Sequence, residues 1–138
     1  MSLPQLNDTA VAESIVTEAD LASSLAKAIG VSDAFPDVYA TPRLVALMEL
    51  ASARLLQGAL GPGELSVGVS LEVVHTAATL PGAKVTATAR YVGRDGKLFV
   101  IKVSASDPAG EIGHGTHKRA IVTTQRLMAG AEKRQQAK

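Results

Sequence analysis

The stretch from Leu44 to Leu56 constrains this chain more than any other. Its only polar residues are Glu49, Ser52 and Arg54, and everything between them is apolar. Thr41-Pro42 stands in front of it and Gln57-Gly58 behind it. Threonine followed by proline is a helix start, with Thr41 as the cap and Pro42 at the first helical position, and Gly58 is a stop. The run is too short and too charged to span a bilayer. A helix that is apolar nearly all round must be buried, so the segment reads as the central helix of a domain that wraps it.

The wrapping comes from the strands that follow. SVGVSLEVVHT (66–76) places Val67, Val69, Leu71, Val73 and His75 on one face by period-two alternation. After a Pro81-Gly82 turn, Val85, Ala87, Ala89 and Tyr91 alternate with Lys84, Thr86, Thr88 and Arg90. Asp95-Gly96 is a two-residue hairpin signal leading into KLFVIKVSAS (97–106). A turn at Asp107–Gly110 then leads into EIGHGTHKRAIVTTQ (111–125). Short turns between successive strands predict a four-stranded antiparallel meander. Upstream, AVAESIV (10–16) reads as a strand. TEADLASSLAKAIG reads as a short amphipathic helix, capped by Thr17 and stopped by Gly30. The turn-rich VSDAFPDVY separates it from the central helix. The expectation is an α+β chain with an N-terminal extension (1–14), one domain (15–128) and a polar tail (129–138) whose last six residues, KRQQAK, are frayed.

Composition narrows the chemistry. The 138 residues suit one domain with a real core. Cysteine is absent, which excludes disulfides, thiolate metal sites and a cysteine nucleophile. Only Phe35, Tyr39, Tyr91 and Phe99 are aromatic, too few for a base-stacking platform. With 14 basic and 13 acidic residues, no overall field draws the chain to nucleic acid or an anionic membrane. MSLPQLNDTA has no basic n-region and no apolar h-region, so a cytoplasmic location is expected.

Chemistry must therefore come from carboxylates, hydroxyls and three histidines. Glu49 interrupts the apolar helix, where an unpaired carboxylate would be costly. It is either functional, or on an exposed strip, or paired with Arg43 or Arg54. His75 falls on the core-facing side of its strand near the strand end, as a candidate general base or a satisfied core histidine. Thr41 is explained as a cap; alternatively its hydroxyl, at a helix N-terminus, meets developing negative charge. Gly68 interrupts a Val-rich strand, signalling a close approach or a bulge. His114 and His117, three apart on a strand, point to opposite faces and cannot share a metal ion. Arg119 shares a face with His117, as a pocket cation or a surface charge. GALGPGE lacks the lysine and preceding strand of a phosphate loop, and no G-x-S-x-G elbow is present.

Three blocks together resemble a known family. AFPDVYATPRLVALMELA, GELSVGVSLEVVHTAATLPGAKVTATA and EIGHGTHKRAIV are similar to the fluoroacetyl-CoA thioesterases, which are single hotdog domains. The resemblance spans roughly residues 15 to 125. It implies a hotdog fold, a homodimer with sites near the subunit interface, and hydrolysis of an acyl-CoA thioester without a separate cofactor. The family's catalytic Thr, Glu and His fall on Thr41, Glu49 and His75. Its glycine beside the acyl group falls on Gly68, and its acyl-pocket arginine on Arg119. Of two lid phenylalanines in the family's namesake, one matches Phe35 and the other position holds Ser32, leaving this lid less apolar. The rival readings are a non-catalytic acyl-CoA or small-ligand module and an enoyl-CoA hydratase-like enzyme. The latter usually needs an Asp-x4-His dyad, and nothing at that spacing flanks His75.

Overall fold

The fold was analysed in a computed structural model, which describes residues 2–30 and 32–137. Strand β1 (Thr9–Ile15) is followed by a 3-10 turn at Glu18–Asp20 and helix α1 (Ala22–Ile29). Helix α2 (Thr41–Leu56) precedes β2 (Glu64–His75), β3 (Lys84–Asp95), β4 (Leu98–Asp107), β5 (Gly110–Thr123) and α3 (Thr124–Gln136). The five strands form one antiparallel sheet in the order β1-β3-β4-β5-β2, with α2 against its inner face.

The alternation expected of β3 holds: Val85, Ala87, Ala89 and Tyr91 are buried, and Phe99, Ile101, Val103 and Ala105 of β4 join them. Leu44, Leu47, Met48, Ala51 and Leu56 of α2 close over these residues. Ser52 enters the same face because its hydroxyl donates to the Met48 carbonyl (2.8 Å), leaving no unpaired polar atom. The helix is not buried all round, however. The sheet curls over one side only, so Leu50 and Arg54 are exposed, and Val45 and Glu49 are half-buried.

Three further expectations are corrected. The meander comprises β3, β4 and β5 alone; β2 crosses to the far side of β5, and β3 takes β1 as its other neighbour. Glycines on β5 allow that crossing. A Cβ on Gly115 would overlap the Glu72 carbonyl, and one on Gly113 would lie 2.8 Å from the Val74 oxygen and 3.1 Å from Leu44. Next, Thr17 starts only the 3-10 turn, because Leu21 leaves helical geometry to bridge Tyr39. Gly30 does end α1, at φ 90°. Finally, the last six residues, expected to be frayed, continue helix α3 as far as Gln136, exposed along the tail.

Strand β2 carries a β-bulge between Gly68 and Ser70. The extra residue, Val69, reverses the parity of everything before it. Val67 and Val69 therefore do not share the face of Leu71, Val73 and His75, contrary to the simple alternation. Gly68 faces inward, opposite Arg119.

Candidate active site

Two groups of polar side chains meet the inner face of the sheet along α2. The first lies at the helix N-terminus. Ala40, not Thr41, is the N-cap; Thr41 is the first helical residue, with Pro42 behind it. Its hydroxyl is thus released from capping, and it hydrogen-bonds His75 Nδ1 at 2.8 Å. The other imidazole nitrogen, Nε2, is buried with no hydrogen-bond partner among the described residues. Burial lowers the pKa of His75 from its ordinary 6.5, against a smaller opposing effect of the Ala77 backbone, keeping the ring neutral near neutral pH. In this protomer Thr41, rather than a carboxylate, orients the ring.

A cavity of about 390 Å³ opens beside this pair, lined in part by Phe35, Tyr39, Thr76, Ala77 and Ala78. Burial and the Asp20 charge push the Tyr39 phenol up to about 12, so it stays protonated as part of the wall. A second, strongly apolar cavity of about 260 Å³ lies between α1 and the start of α2. Leu25, Ala26, Ile29 and Pro42 line it, and Phe35 and Thr41 border both cavities. Ser32 is exposed.

The second group sits two helical turns further on. Glu49 Oε2 accepts from Arg119 Nη1 at 3.3 Å. Arg43 instead pairs with Asp20, and Arg54 donates to the Val11 carbonyl, so neither is the partner of Glu49. Arg119 is only 5% exposed and is anchored to β2: Nε donates to Ser66 Oγ (3.1 Å) and Nη2 to the Ser66 carbonyl (2.8 Å). Its Nη1 also meets His117 Nε2 at 3.1 Å. His117 is 1% exposed, and its Nδ1 donates to the Ser70 carbonyl at 2.9 Å. Gly68 completes the group, for a Cβ there would stand 2.7 Å from Glu49 Oε2 and 3.1 Å from His117 Cε1. Its sequence signal was ambiguous between a bulge and a close approach, and both occur.

Thus Thr41 and His75 are brought together, and Glu49, Gly68 and Arg119 are brought together. The two sets stand apart, since eight residues of helix put Thr41 and Glu49 about 12 Å from each other along the axis. His117 was not singled out as functional. Its signal was available: with Gly113, Gly115 and Arg119 it shares the inner parity of β5, where polar side chains need partners. His114 points the other way, to an exposed contact with Glu111. Ala77 and Ala78 line the Thr41–His75 cavity, whereas Ala46 lines a separate groove with Asp20 and Arg43. Several surface cations are engaged: Lys84 with Glu13, Arg90 with Asn7, Lys118 with Asp95, and Arg94 over the Phe99 ring.

A helix laid across a curled antiparallel sheet is the architecture of the hotdog fold, and comparison with known proteins gives its class as thioesterase. Residues 16–125 match the model of the FlK family, fluoroacetyl-CoA-specific thioesterase. A fluoroacetyl-CoA thioesterase of Streptantibioticus cattleyicolor is 45% identical over 95 residues, covering 69% of this chain and 68% of the relative. The crystal structure of a phenylalanine-to-alanine mutant of the fluoroacetyl-CoA-specific thioesterase FlK superposes with a TM-score of 0.89 at 33% identity. That match covers 97% of this chain and 99% of FlK. A hypothetical protein of Thermus thermophilus, a thioesterase superfamily member, superposes at 0.85 with 28% identity, covering 98% and 96% of the two chains. The chain belongs to the fluoroacetyl-CoA-specific thioesterase family.

Proposed function

We propose that this protein is an acyl-CoA thioesterase that hydrolyses a small or short-chain acyl-CoA through Thr41, Glu49 and His75. The observation that carries the reading is the Thr41–His75 hydrogen bond at a cavity mouth, with the second imidazole nitrogen unpaired. Such a pair can hold a thioester carbonyl: the Thr41 hydroxyl and the first amides of α2 meet the oxyanion as it develops. Glu49 supplies the carboxylate, either attacking the carbonyl carbon or taking a proton from the attacking water. On both routes the C–S bond breaks, CoA leaves as thiolate and is protonated, and one water is consumed. Gly68 leaves room beside Glu49, Arg119 pairs with that carboxylate next to the acyl group, and Phe35 borders the acyl side.

The working unit is a homodimer in this proposal. Strand β2 is a free sheet edge of 12 residues with Leu65, Val69 and Val74 exposed, an arrangement that favours pairing with another strand. Pairing two copies also offers a way to bring Thr41 and His75 of one protomer to Glu49 of its partner, which one helix holds apart. Thioesters of CoA are polyanions that do not cross bilayers, which supports a cytoplasmic site of action; no helix among the described residues is long and apolar enough to cross a membrane. No cofactor beyond the CoA of the substrate enters the chemistry, and nucleic acid has no part in it.

A panel of acetyl-, fluoroacetyl-, propionyl-, butyryl- and isobutyryl-CoA, followed by free-thiol release, tests the proposal. At least one member should be turned over, with Glu49→Ala and His75→Ala strongly impaired. No turnover by the wild type, or variants as fast as the wild type, would remove the assignment. Thermal stabilisation by an acyl-CoA without thiol release would instead indicate a binding module.

A further inference from the structure

We propose that His117 is a positioning residue for Glu49, acting through Arg119. This rests on the reading of Glu49 as the catalytic carboxylate and adds a residue to that machinery. The geometry assigns both ring nitrogens. A carbonyl can only accept, so the contact with Ser70 places the proton on Nδ1. A guanidinium can only donate, so the contact with Arg119 requires a bare Nε2. The ring is therefore neutral and in one tautomer, fixed from both sides.

This tautomer connects two features that shape the site. On one side it holds the Ser70 carbonyl at the β2 bulge, beside Gly68 and the Glu49 carboxylate. On the other it shares Nη1 of Arg119 with Glu49, aiming that nitrogen along the inner face. The Glu49 side chain is 43% exposed and has no other hydrogen-bond partner among the described residues, so its direction depends on that shared nitrogen. Nothing else nearby could replace the ring. Glu49 from α2 and Arg119 from β5 are the charged groups facing it, β2 presents the Ser70 carbonyl and Gly68, and β4 presents the apolar Ile101. Burial, the largest influence, lowers the His117 pKa; the Ser70 hydrogen bond, next in size, raises it, and the Arg119 charge lowers and the Glu49 charge raises it, for a net lowering. Protonation would turn Nε2–H toward the guanidinium and break the link.

The test compares His117→Phe, which removes both contacts, with His117→Gln, whose amide oxygen can still accept from Arg119. On the acyl-CoA that the wild type cleaves fastest, His117→Phe should lower kcat about 10- to 100-fold with KM changed less than about threefold. His117→Gln should recover a large part of that loss. A His117→Phe kcat within about twofold of the wild type, or equal losses in both variants, would overturn the proposal. Imidazole 15N–1H correlation spectra of the wild type provide a readout that needs no variant to fold and no turnover. His117 should appear neutral with its proton on Nδ1 at about pH 7; a proton on Nε2 would overturn the link. If the wild type releases no CoA from any thioester, the thioesterase reading falls, and the spectra still decide whether His117 holds Arg119.

Discussion

The two polar groups along α2 differ in how completely they are satisfied. At the second, Arg119 donates to Ser66 twice, to His117 and to Glu49, and both His117 nitrogens are used. At the first, Thr41 and His75 have one mutual hydrogen bond, and His75 Nε2 has no partner among the described residues. A buried polar atom without a partner costs about 1–3 kcal/mol, so it persists where a ligand or function uses it. The closed network holds a carboxylate in place; the open pair waits for a substrate atom. The difference predicts opposite responses to mutation.

The largest effect should be on turnover. Glu49→Gln and His75→Ala should each lower kcat by about 10²- to 10⁴-fold in thiol-release assays, and Thr41→Ala by about 10²-fold. Equal, small losses at all three would erase the distinction between catalytic and supporting groups. Stability should respond the other way. Arg119→Met strands the Ser66 and His117 acceptors and unpairs Glu49, and should cost about 2–4 kcal/mol in urea unfolding. Thr41→Ala removes no cap and should cost less than about 0.5 kcal/mol. Gly68→Ala sharpens the comparison, since its methyl would meet the flexible end of Glu49 and press on His117. It should reduce kcat about tenfold while shifting Tm by only a few degrees.

The smallest effect concerns pH. Both His75 and His117 have pKa values lowered from 6.5 by burial. The unfolded chain therefore binds more protons than the folded one as pH falls below 6.5. Their contribution to stability is present above that pH and is lost as pH falls through the folded values. Urea midpoints should drop in this window, and less so in His117→Gln. A midpoint that rises on acidification would contradict the neutral, buried state of both rings.

Much of this was legible in the sequence because it depends on local pattern. The apolar run with Thr41-Pro42 located α2, and the period of β3 located its inner face. His75 was placed correctly even though Val67 and Val69 were not, since the bulge at Gly68–Ser70 changes parity only on their side of it. The Arg119 partnership of Glu49 was hidden, because it spans 70 residues and nearer arginines at 43 and 54 offered plausible partners. The crossing of β2 to the edge beside β5 was likewise invisible. It depends on Gly113 and Gly115 admitting another backbone, a signal that reads only as close packing. Thr41 reads as a cap because its neighbour is proline; which residue caps is decided by the backbone angles of Ala40.

The central claim is that an open Thr41–His75 pair and a closed Glu49 network from two copies make one thioesterase site. Co-expression of Thr41→Ala and Glu49→Gln chains carrying different tags, purified through both tags, tests it most directly. If the halves combine across a two-fold axis, one of the two sites in the mixed dimer is fully wild type, and about half of wild-type thiol release should return. A mixed dimer no more active than its parent variants would contradict the account.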